Sequence, residues 1–179
     1  MNRRPEAASG RSPAARVRKV VADHLGSRDV ARVLYGSIVG LALVLVLQAH
    51  PPSATAAIGS LLGTALAVGL AELYSEIVAS EARTRRPVDR QAMRAMALEA
   101  LAVVFGAAFP AVFFVLAAAG LIDIGLAFTL SKWSGLALIC GYGFLAARLS
   151  GGGIVRALVH AVAVGAVGGA LIALKAIVH

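Results

Sequence analysis

The stretch TAAIGSLLGTALAVGLAELYSEIVAS, residues 55–80, decides what kind of protein this is. It is long enough to cross a bilayer, for which a helix needs roughly 20 apolar residues, and it carries no charge before Glu72. In its final third, Glu72 and Glu76 stand one helical turn apart. A charge held in hydrocarbon costs on the order of 2.5–3.5 kcal/mol even on the lenient insertion scale. The run therefore poses a question: what keeps two carboxylates there?

The rest of the chain has the same character. Its 179 residues are 59% hydrophobic and only 15% charged, with a mean hydropathy of +0.84; a soluble domain carries about 25% charge. Outside 55–80, apolar blocks lie near 30–48, 94–119, 126–147 and 154–177. They are separated by HPPS (50–53), EARTRRPVDRQ (81–91), GLIDIG (120–125) and SGGG (150–153), whose prolines and glycines interrupt helices where backbone groups reach water. The expected fold is all-α, a polytopic membrane protein with a five-transmembrane-helix bundle over residues 30–179. Ahead of it, residues 1–14 read as a disordered basic tail. Residues 15–29 place Val17, Val20, Val21 and Leu25 at helical spacing beside Arg16, Arg18 and Lys19, an amphipathic juxtamembrane helix. The first apolar block begins too far in for a cleaved signal peptide.

The formal charge of +8 is explained by where the bases fall. With the N-terminus inside, eight Lys and Arg precede or enter the first span, five lie around the second loop and two flank the last turn. Fifteen of seventeen are then cytoplasmic, leaving Lys132 and Lys175 outside. Cytoplasmic loops are enriched in these residues, so the expected localisation is the cell membrane, multi-pass, with the N-terminus cytoplasmic and the C-terminus outside. The charge serves topology and needs no nucleic acid; the bilayer is the partner.

Intramembrane carboxylates are candidates for function by default, and oxygen donors suit protons and hard or borderline divalent cations. Glu72, Glu76 and Glu99 form the candidate metal set. Glu99 enters the third span at a depth similar to Glu76 and is placed to face that pair across the hairpin or to bind Arg94. His160 offers an imidazole for a metal or a proton, although a lone histidine more often bonds to a neighbouring helix. Asp123 reads as solvated, Lys132 and Trp133 as an interfacial anchor pair, and Cys140 as a small apolar residue. GYG (141–143) sits inside a continuous apolar span with no pore-helix pattern before it. No nucleotide loop, nucleophile elbow or paired-cysteine site occurs, so no enzymatic chemistry and no permanently bound cofactor are expected. Gly36 and Gly40, Gly59 and Gly63, and Gly165 and Gly169 recur at the spacing that lets helix backbones approach.

Several of these segments together resemble the vacuolar iron transporters and their bacterial relatives. LAELYSE (70–76) is similar to the element ending that family's second span, with Glu72 at the family glutamate. FGAAFPAVFF (105–114) is similar to its proline-bearing third span, and residues 141–172 to its last two helices. The resemblance implies five spans and a homodimer that exchanges Fe²⁺ or Mn²⁺ for protons, in a short bacterial-type member lacking the cytosolic metal-binding domain. It also implies a polar, inner-facing vestibule around Glu72. Here YGSIVGL (35–41) puts Val39 at the place of the family's first-span aspartate, and the loop that carries the metal-binding domain in longer members is short and basic. Dimer contact is expected through the first-span small residues Gly36 and Gly40. The alternative expectation is a non-transporting structural or interaction subunit that keeps the fold.

Overall fold

The structure, a computed structural model, describes the backbone of residues 27–178 and the side chains of residues 30–173. The expected tail and amphipathic helix lie almost wholly outside the described residues. Six helices follow in order: α1 Ser27–Leu47, α2 Ala54–Thr84, α3 Arg90–Ala108, α4 Ala111–Ala118, α5 Ile124–Leu149 and α6 Ile154–Val178. No strand occurs among the described residues. Five of the helices are long and apolar enough to cross a membrane, and α4 completes the third span. The protein is an all-α, five-span membrane bundle, as its apolar blocks predict.

Local chemistry sets the boundaries. Ser53, Asp89 and Asp123 each cap a helix, their side chains accepting from the N–H of Ala56, Ala92 and Leu126; an N-cap satisfies one of the free donors of the first turn. Asp123 is thus a cap rather than merely a solvated side chain. Helix α2 ends where Arg85 takes a left-handed conformation (φ 52°) and its N–H donates to the Glu81 carbonyl. The third span breaks at Pro110, which has no N–H to continue a helix. Ser131 of α5, fully buried, donates to the Pro110 carbonyl at 3.1 Å across that break. GYG lies within continuous α5 helix, and α5 starts two turns before Lys132 and Trp133.

Helix α1 is the centre of the bundle. It packs most extensively on α3 and α5 and also touches α2 and α6. Of its apolar window 44% is buried, against 17–28% for the other spans. Lipid tails are as apolar as leucine, so helices in a membrane associate through close packing rather than through escape from water. The α1–α3 contact shows how. A Cβ at Gly36 would overlap the Val103 carbonyl, one at Gly40 would come within 2.8 Å of the Ala107 carbonyl, and one at Gly106 would meet the Ser37 nitrogen at 2.8 Å. The two backbones touch. This corrects the expected dimer contact: Gly36 and Gly40 are covered by α3 of the same chain and cannot meet a second α1.

On the far side from the charged loop, Val44, Ala57, Leu61, Ala111, Phe114, Ala127 and Phe128 join α1, α2, α4 and α5, with Phe114 and Phe128 edge to face at 4.8 Å. A second cluster ties Leu41, Leu45 and Ile139 to α6 through Val164, Leu171 and Ile172. Cys140 packs here, its sulfur where a Cβ on Gly165 would fall.

Candidate functional site

Helix α2 has 31 residues, about 46 Å at 1.5 Å per residue, whereas the hydrocarbon core is about 30 Å thick. Its last turns therefore stand clear of the bilayer if residue 54 lies at the opposite surface. Glu72 then falls inside the hydrocarbon and Glu76 at its edge. Glu99 follows from α3, ten residues into an antiparallel neighbour.

What holds these charges is Arg32, five residues into α1. Its Nε donates to Glu72 Oε1 at 3.2 Å and its Nη1 to Glu99 Oε2, while Nη2 lies 3.8 Å from Glu76 Oε2. A guanidinium presents five N–H donors in a rigid planar fork, and here each of its three nitrogens faces a different carboxylate. The Arg32 side chain is only 12% exposed, whereas the three carboxylates keep 27–29%. Arg83, largely exposed, adds a contact of 3.4 Å to Glu76 from one side. The carboxylates persist because a cation on the central helix is enclosed among them.

The arrangement joins three elements. Two acids come from α2, one from α3, and the base from α1, so the cluster cross-links the helices that meet at this end. Its charges do not cancel. Three carboxylates surround one enclosed guanidinium, and the second base that touches them is a solvent-facing one. The cluster is thus a concentrated surplus of negative charge at the membrane boundary.

The sequence brings Glu72, Glu76 and Glu99 together as a candidate set, and the structure places them around one point. It does not place them in mutual ligating contact: among the described residues no three His, Cys, Asp or Glu side chains are grouped to hold a metal ion. Arg94 does not pair with Glu99 and has no ion-pair partner among the described residues. His160 and His50 are exposed and stand apart from the cluster. Val39 lies seven residues beyond Arg32, about 10 Å deeper along α1, so the position the resemblance assigns to a carboxylate is not part of the cluster.

Arg32 is the residue that sequence reading missed. It counts among the bases that set topology, and nothing local marks it. The one signal was its place two residues inside the apolar block that opens at Val30. No family model, curated protein or solved structure matches this chain.

Proposed function

We propose that this protein moves divalent cations, Fe²⁺ or Mn²⁺ by its resemblance to vacuolar iron transporters, across a membrane in exchange for protons. The observation that carries the reading is the convergence of Glu72, Glu76 and Glu99 on one point where they outnumber the enclosed cation. Hard divalent cations bind carboxylate oxygens at about 2.0–2.6 Å, closer than the 3.2 Å of the Arg32–Glu72 pair. A cation arriving at that point has to take oxygens that now face Arg32 and so displace it. In this scheme Arg32 is a resident counter-ion, holding the acids together between cycles and giving way to the substrate. Protons taken up by the carboxylates as the metal leaves close the exchange. A homodimer, which the resemblance also implies, would need a face other than the glycines of α1.

Manganese or iron uptake into liposomes carrying the purified protein tests this. Glu72→Gln keeps the shape and removes the charge, and it is expected to abolish metal-dependent uptake while leaving the fold intact. Glu76→Gln should fall less, because that carboxylate makes the longest contact with Arg32 and lies nearer water. Undiminished flux in Glu72→Gln would remove the residue from the mechanism.

A second reading, a structural or interaction subunit, is favoured by one specific observation: Arg32 already occupies the point of convergence. On that reading wild-type liposomes show no metal-dependent flux, while the cluster substitutions still weaken the fold.

The same scheme places the loop at residues 85–89 in the cytoplasm by the excess of Lys and Arg at that end. With Cys140 replaced by Ser, a cysteine at Arg86 should react with an impermeant thiol reagent only from inside and one at Ser53 only from outside. The reverse pattern would invert the orientation.

A further inference from the structure

On the outer surface of the bundle, α2 and α3 leave a groove of about 490 Å³. Leu66, Leu70 and Leu73 line it from α2, and Leu98, Leu101 and Val104 from α3. Its lining is apolar throughout, and Arg94 borders one end with the aliphatic part of its side chain. Gly69 forms the floor, where a Cβ would overlap the Val104 side chain. None of the four residues of the Arg32 cluster lines it, so this site stands independently of the transport reading.

Dimensions and charge select the occupant. From Arg94 to Val104 the groove follows α3 for ten residues, about 15 Å, which is one leaflet of a hydrocarbon core about 30 Å thick. That length suits one acyl chain lying in a single leaflet. Its walls face outward: Leu70 is 65% and Leu98 68% exposed. At the membrane surface, Arg90 lies one turn before Arg94 on the same helix face. Neither has an acidic partner among the described residues. Arg94 at the end of the groove, with Arg90 one turn beyond it, attracts a phosphate and repels the amine of a zwitterionic headgroup.

We propose that this groove is a binding site for a net-anionic phospholipid, one acyl chain lying along Leu70, Leu98 and Leu101 and the phosphate held by Arg94. The test uses the full chain reconstituted in vesicles of equal parts phosphatidylglycerol and phosphatidylcholine, extracted gently and weighed intact by native mass spectrometry. Wild type should retain phosphatidylglycerol in preference to phosphatidylcholine. Arg94→Gln should reduce that preference by about five-fold, the contribution of one arginine at an anionic surface. Arg86→Gln, on the adjoining loop and outside the groove, should leave it unchanged. Ala97→Phe fills the groove from its α3 wall and should abolish retention of both lipids. Circular dichroism checks that each variant remains helical; Arg94, exposed and unpaired, is not needed for folding. Equal losses in Arg94→Gln and Arg86→Gln would reduce the effect to general surface charge and overturn the site. So would full retention in Ala97→Phe, or a dimer mass that disappears with it, which would give the groove to a second copy.

Discussion

Arg32→Gln should lower the unfolding free energy of the protein by about 2–3 kcal/mol. Removing one partner of a buried ion pair typically costs about 3–5 kcal/mol, because the other charge stays behind uncompensated. Here Glu72 and Glu99 are stranded at once while Glu76 keeps Arg83, but each carboxylate keeps more than a quarter of its side chain exposed, and exposure weakens ionic contributions. A loss at or just below the bottom of that range follows. Adding Glu99→Gln to Arg32→Gln should restore part of the loss, since it removes one of the stranded charges, whereas Glu99→Gln in the wild-type background should destabilise. Opposite signs for one substitution in two backgrounds are the signature of a coupled network. Equilibrium unfolding in mixed micelles measures all four proteins. An unchanged midpoint in Arg32→Gln would mean that the cluster contributes nothing to holding α1, α2 and α3 together.

Gly36→Val should be at least as damaging. Overpacking a filled interior costs about 1–3 kcal/mol and sometimes more, and the cost is smallest when the obstructing atom can move. At Gly36 the obstructing atom is the backbone carbonyl of Val103, fixed in a helix, so relief requires α1 and α3 to separate. Separation in turn pulls Arg32 away from Glu99. The expected loss is about 3 kcal/mol or a failure to recover folded protein from detergent. Gly59→Val is the matched control, since a Cβ there has nothing within 4 Å; its change should stay within about 0.5 kcal/mol. Similar losses at both positions would show that helix propensity, not contact with α3, governs the first.

Much of this architecture was legible in the sequence, for reasons that differ by element. The five spans follow from the lengths of the apolar blocks, and their ends from the proline-, glycine- and charge-rich segments between them. The break at Pro110 and the caps at Ser53, Asp89 and Asp123 did not, because the third block reads as one apolar run and a capping side chain looks like any solvated one until its helix start is placed. Glu72 and Glu76 were visible because two charges in an apolar run cannot be incidental. Arg32 was not, because its partners lie 40 and 67 residues away and no periodicity within one helix pairs residues across three. The glycines of α1 show the same limit. Their spacing announces close packing, yet the same pattern serves a neighbour within the chain and a second copy equally well, and only the fold discriminates. Gly59 and Gly63 carry an identical spacing and face outward.

The central position of α1 has a consequence for how the protein is made. Among the described helices, the most enclosed is the first to be synthesised. At about 5–20 residues per second, Glu99, 67 residues downstream, is synthesised roughly 3–13 s after Arg32. During that interval α1 stands in lipid with its glycine face uncovered, and Arg32 is close enough to the helix end for its long side chain to reach the headgroups. Glu72 and Glu76 arrive next and supply the first counter-charges, but the surface that fits Gly36 and Gly40 does not yet exist. Only when α3 is threaded in is the guanidinium enclosed by its third carboxylate and do the backbones close. Biogenesis thus passes through a two-helix stage whose first member is inserted but unhoused, and the third span is the element whose arrival turns separate insertions into one bundle.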